Sequence, residues 1–147
     1  MNPSQKITPF LWFDGRAVEA AKFYTSIFNR SKILSASPTG ATFRLEGQEF
    51  MALNGGPGFP FTQAISLFVS CKTQKEVDTL WRRLSRGGEV RRCGWLKDKF
   101  GLSWQIIPTV LGDLLYGKDR GRAQRAMTAM LGMQKLDIRA LRRAADG

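Results

Sequence analysis

The chain has 147 residues, 43% of them apolar, with ten Phe, four Trp and a formal charge of +11. That composition excludes a disordered chain, and the short apolar runs exclude a span of the roughly 20 residues that a bilayer requires, so a soluble cytoplasmic protein is expected. Histidine is absent and cysteine occurs twice, as Cys71 and Cys93 without a CxxC pair, which predicts two reduced thiols rather than a disulfide or zinc site.

Ile7 to Phe13 reads as a strand whose Pro9 suits an edge, and Asp14-Gly-Arg16 turns out of it. Ala17, Ala20, Ala21, Phe23, Tyr24, Ile27 and Phe28 recur at three- and four-residue spacing, which predicts a helix over 17–28 packed on one face. Three strands follow at 32–37, 41–45 and 50–53, separated by Pro38-Thr-Gly40 and Glu46-Gly-Gln48. Asn54-Gly-Gly-Pro-Gly-Phe-Pro60 is then a boundary. It lacks the Lys-Ser/Thr and following helix of a phosphate-binding loop.

The order repeats. Ala64 to Val69 is a strand, and Thr73-Gln-Lys-Glu76 has capping-box spacing ahead of a helix striped by Val77, Leu80, Trp81 and Leu84. After Gly87-Gly88, strands are expected at 89–92, 94–97 and 102–107, the last with Trp104 and Ile106 on one side and Ser103, Gln105 and Ile107 on the other. Each half is thus β, α, β, β, β, followed by helices over 110–115, 121–131 and 136–145. The expected organisation is a single domain over 1–147, with a first module at 7–54, a second at 61–108 and a helical segment at 109–147.

Positive charge grows along the chain, from +2 over 1–60 through +4 over 61–115 to +5 over 116–147. Such a balance attracts polyanions, and a nucleic-acid partner for the basic C-terminal helices is one reading. No helix-turn-helix, zinc-finger or RRM pattern accompanies the charge, and a solvated helix face explains Arg139, Arg142 and Arg143 equally.

Several strings carry a resemblance. Thr8-Pro-Phe-Leu-Trp-Phe-Asp-Gly15, Ala20-Ala-Lys-Phe-Tyr24, Phe50-Met-Ala-Leu-Asn-Gly-Gly-Pro57 and Cys93-Gly-Trp-Leu-Lys-Asp-Lys-Phe-Gly-Leu-Ser-Trp-Gln105 resemble the PhnB-like proteins. These carry the label 3-demethylubiquinone methyltransferase and belong to the glyoxalase/bleomycin-resistance/dioxygenase (vicinal oxygen chelate) superfamily. The resemblance runs from about Ile7 to Leu141. It implies an α+β fold of two paired βαβββ modules, each curved around a cavity, in a homodimer that sometimes exchanges segments.

Relatives of the glyoxalase type hold a divalent metal on the first and last strands of each module. Carried over, those places fall on Thr8 or Phe10, Ala52 or Asn54, Ser66 or Phe68, and Ser103 or Gln105. Only Asn54 and Gln105 offer even a neutral oxygen ligand, so neither a metal nor another cofactor is expected. Methyl transfer of the common type needs a Gly-rich strand-to-helix turn within a parallel α/β succession, which this chain lacks.

The expected ligand is a flat aromatic or quinone-like molecule, with Trp12, Trp95 and Trp104 as walls and Asn54, Ser66 and Gln105 as polar contacts. The alternative is that the tryptophans only pack the modules. For an enzyme on a quinone-like substrate, the candidate catalytic groups are Asp14, Cys93 and Lys97. Asp14, Lys97 and the nearby Asp98 equally suit backbone capping or ion pairs, and Cys93 has no imidazole to activate it.

Overall fold

The computed structural model describes residues 5–147, and the chain divides into two compact units, 1–60 and 61–147, with the boundary in the Gly/Pro-rich segment. In unit 1, β1 (Phe10–Asp14), α1 (Ala17–Ile27), β2 (Lys32–Ser37), β3 (Gly40–Leu45) and β4 (Gln48–Gly55) form a four-stranded sheet of order β1-β4-β3-β2. In unit 2, β5 (Ser66–Cys71), α2 (Gln74–Ser85), β6 (Glu89–Val90), β7 (Trp95–Lys97) and β8 (Ser103–Pro108) give the same order, β5-β8-β7-β6. In both, the first and last strands of the module pair in parallel and the remaining ladders are antiparallel. The repeated α+β module expected from the sequence is therefore present twice.

Strand alternation sorts each sheet into two faces. In unit 1, Leu11, Phe13, Ala41, Phe43, Leu45, Phe50 and Ala52 are buried, and α1 covers this face. Its Ala17, Ala20 and Ala21 are small enough to bring the helix close, while Tyr24 reaches Phe43 at a ring separation of 6.1 Å. Phe43 in turn stacks on its register partner Phe50 at 5.4 Å. The other face carries Phe10, Trp12, Met51 and Leu53. In unit 2 the covered face holds Cys71, Leu96, Trp104 and Ile106, all 2% exposed or less, beneath the buried Val77, Leu80 and Leu84 stripe of α2.

Thr73 caps α2 by accepting the amide of Glu76 at 3.2 Å, as the capping-box spacing predicts. Gly87, with φ +77°, lies in the turn that ends the helix, a left-handed conformation that glycine adopts without strain. Beyond β8 come α3 (Thr109–Leu115), α4 (Arg120–Leu131) and α5 (Ile138–Asp146). They cover one end of the sheet, where Ile107 packs with Leu111, Leu136 and Leu141. The Gln74 side chain ties this segment to α2: its amide nitrogen donates to Leu136 O at 3.0 Å and its oxygen accepts from Ile138 N at 2.8 Å. Among the described residues, no helix is long and apolar enough to cross a membrane.

Candidate functional site

In each unit the sheet face turned away from its helix is the candidate site. In unit 1 it is apolar. Trp12 lies across the end of the sheet, its Nε1 donating to Gly56 O at 2.8 Å and its ring meeting Phe59 edge-on at 4.9 Å. Gly55 makes this possible, because a Cβ there would overlap the indole. Further along the same face, Glu49 is fully buried and accepts from Arg44 Nη2 at 3.0 Å, while Gln5 clamps its main chain at 3.1 and 2.9 Å. No local sequence signal marks this half-buried ion pair, which depends on the β3–β4 register opposing Arg44 to Glu49.

In unit 2 the corresponding face is polar. Gln105 donates to Ser66 Oγ at 3.0 Å, and Trp95 and Phe68 flank Gln105 in the register of β7 and β5. The structure thus brings Ser66, Trp95 and Gln105 together, and Trp12 belongs to the equivalent face of unit 1. It does not bring Asn54 or Trp104 to these faces. Asn54 pairs with Phe13 on the α1 side, where its Oδ1 accepts the first amide of α1, Ala17 N, at 2.7 Å and its Nδ2 donates to Pro38 O at 2.9 Å. Trp104 is buried, and its Nε1 donates to Asp98 Oδ2 at 2.9 Å. Asp98 also accepts the amides of Phe100 and Leu102, so it organises the turn before β8.

The three reactive candidates stand apart. Asp14 is exposed at the end of β1 in unit 1. Cys93 precedes β7 and Lys97 ends it, so the strand separates them. Lys97 Nζ lies 3.5 Å from Glu89, whereas the backbone amide of Cys93 donates to Met133 O at 2.8 Å. The other thiol, Cys71, is wholly buried, and burial first and the Glu76 carboxylate second push it up to about 12. Several C-terminal bases have local partners: Arg122 pairs with Asp146, Arg125 donates to Ala145 O, and Lys135 pairs with Asp78 at 2.9 Å.

The register also tests the fit of a divalent metal. On the first and last strands the positions opposed on the uncovered faces include Phe10 with Met51, Trp12 with Leu53, Phe68 with Gln105 and Ser66 with Ser103. Ala52 and Asn54 lie on the α1 side instead. One amide oxygen and two serine hydroxyls among apolar side chains, with no carboxylate or imidazole, do not make a ligand set for a hard cation. Among the described residues no cluster of three or more His, Cys, Asp or Glu side chains could hold a metal.

Two copies of one βαβββ module with this strand order define the glyoxalase-type, vicinal oxygen chelate fold. Within it, the family model described as 3-demethylubiquinone-9 3-methyltransferase matches residues 5–107, and the chain belongs to that PhnB-like family. A solved structure described as a putative 3-demethylubiquinone-9 3-methyltransferase, PhnB protein, from Bacillus cereus is 40% identical; the match covers 71% of this chain and 100% of that one with a TM-score of 0.66. Protein PA1353 from Pseudomonas aeruginosa matches at 21% identity over 69% of this chain and 96% of its own, with a TM-score of 0.56. A glyoxalase-related enzyme from Fulvimarina pelagi matches at 13% identity over 72% and 90%, with a TM-score of 0.50, a likeness of fold alone. No curated protein gives a significant match. The family match ends at residue 107, short of the Leu141 to which the string resemblance extends, so α3–α5 lie outside it.

Proposed function

We propose that this protein binds a small aromatic or quinone-like molecule without a metal, using the uncovered sheet faces of its modules and acting as a homodimer. The observation that supports this most is that the opposed positions Phe10, Met51 and Phe68 are apolar, with Gln105 and Ser66 as the polar groups beside them. Such a lining suits a largely apolar ligand oriented by a few polar atoms. Trp12, held by Gly56 and Phe59, supplies an aromatic wall in unit 1; Trp95, Ser66 and Gln105 supply a wall and two polar contacts in unit 2. Asn54 and Trp104 act from the covered sides, as supports for the frame.

The methyl transfer named in the family's description is not part of this reading. The strand-to-helix passages are Gly15-Arg16 and Lys72-Thr73, and each sheet contains a single parallel pair, which is not the setting of a nucleotide-type cofactor turn. A homodimer accounts for Ile65 and Leu131, each more than half exposed, as apolar surface that a second copy covers.

A thermal-shift screen of aromatic and quinone compounds in the presence of EDTA tests the binding. Saturable, concentration-dependent stabilisation by at least one ring compound is expected. No stabilisation by any of them overturns the reading. Light scattering at micromolar concentration tests the dimer, which a single monomeric mass excludes.

A further inference from the structure

The polar face of unit 2 holds more unused hydrogen-bonding capacity than a packed sheet needs. Two cross-strand rows run over it. In one, Glu89 opposes Lys97, Lys97 opposes Ser103, and Ser103 opposes Ser66. In the next, the amide of Arg91 donates to Trp95 O at 2.9 Å, and Trp95 and Phe68 both oppose Gln105.

Each row contains a buried polar atom without a partner among the described residues, Ser103 Oγ and Arg91 Nη1. Ser103 is 1% exposed, and a buried hydroxyl or N–H without a partner keeps its full desolvation cost. The one acidic group in these rows, Glu89, reaches both cations only loosely, at 3.6 Å from Arg91 Nε and 3.5 Å from Lys97 Nζ. Charge-assisted hydrogen bonds close to roughly 2.7–2.9 Å, so neither pair is formed tightly. Two cations therefore share one mostly exposed carboxylate, and the guanidinium keeps an N–H free.

We infer that this face takes an aryl carboxylate. The inference rests on the small-molecule reading above and adds the ligand's charge. The carboxylate is held by Arg91 and Lys97, in place of their loose contacts to Glu89. The ring lies against Trp95 and Phe68, which flank Gln105 two strands apart, about 10 Å at the ordinary strand spacing and the scale of a fused two-ring acid. The planar fork of arginine suits the carboxylate, and it stacks on aromatic faces as well.

Calorimetric titration of the full chain with 2-naphthoate and with its neutral analogue 2-naphthylmethanol separates the possibilities. The acid is expected to bind about tenfold more tightly, and R91Q or K97Q to remove that preference by weakening the acid much more than the alcohol. E89Q, which removes the competing carboxylate, tightens the acid several-fold; W95A weakens both compounds. Equal affinity for acid and alcohol in the natural chain overturns the assignment and leaves the small-molecule reading standing. So does an acid preference that survives R91Q and K97Q. Binding of neither compound, together with a blank aromatic screen, removes both. Should R91Q fail to fold by circular dichroism, K97Q carries the same comparison, since the Lys97 side chain is 40% exposed.

Discussion

Asp98 and Trp104 are joined by a buried hydrogen bond of 2.9 Å from the indole nitrogen to the carboxylate, and the same carboxylate holds the amides of Phe100 and Leu102 at 2.8 and 3.1 Å. The pair fixes the approach to β8, the strand that carries both Ser103 and Gln105. D98A leaves three donors, two of them fully buried, without their acceptor and is expected to cost about 3 kcal/mol, measured by urea denaturation. D98N, which keeps one acceptor oxygen, is milder. A loss below 1 kcal/mol for D98A would place the carboxylate outside the folding of this turn.

Asn54 gives a contrasting prediction. Its side chain bridges the start of α1 and Pro38 O, so N54A lowers stability by about 1–2 kcal/mol, the scale of a lost helix cap with one further bond. Ligand affinity is unchanged once the variant is compared at a temperature where both proteins are folded. A drop in affinity at full folding would return Asn54 to the ligand's surroundings.

The Cys71 thiol has a pH signature. Its pKa is raised from 9.0 to about 12, so the folded chain keeps a proton that the unfolded chain releases. Stability from this group is complete below about pH 9 and declines as pH rises from there through 12. The difference between wild type and C71A in denaturation midpoint should narrow across that window. In the native protein at neutral pH, a thiol reagent is expected to modify Cys93, which is partly exposed, and to reach Cys71 only after denaturant is added.

Gln74 predicts the behaviour of the C-terminal helices. Q74A removes both the donor to Leu136 O and the acceptor of Ile138 N, so amide exchange at Ile138 should accelerate tenfold or so while the core of α2 stays protected. Truncation after Pro108 uncovers Ile107 and removes Leu111, Leu136 and Leu141 from their cluster, and unit 2 is expected to lose several kcal/mol. A truncated chain with unchanged melting would show that the helices are carried rather than needed.

Most of the secondary structure was legible because it rests on local signals. The alanine and aromatic stripe of α1, the Thr73 cap and the Gly87-Gly88 stop each act within a few residues, and β2 falls at the expected 32–37. The faces of the sheets were harder. Position along a string places Asn54 at the end of a module's last strand, but which face it occupies depends on β4 running from Gln48 and setting Met51, not Ala52, against Phe10. Trp104 shows the same difficulty, for alternation separates it from Gln105 without saying which side the helix covers. Buried Glu49 and the unused atoms of Arg91 and Ser103 follow from cross-strand neighbours far apart in sequence, which periodicity does not register.

Cys93 and Gly94 occupy consecutive left-handed conformations, with φ of 60° and 81°, and their amides reach Met133 O and Gln134 O, both at 2.8 Å. The helical segment beyond the family match is thus fastened by main chain to main chain. The side chain at 134 is free to diverge without loosening it, whereas Met133 also packs on the Ile107–Leu141 cluster and a Cβ at Gly94 would meet Ile106 O at 2.9 Å. The turn, rather than the appendage it grips, is where sequence change would meet resistance.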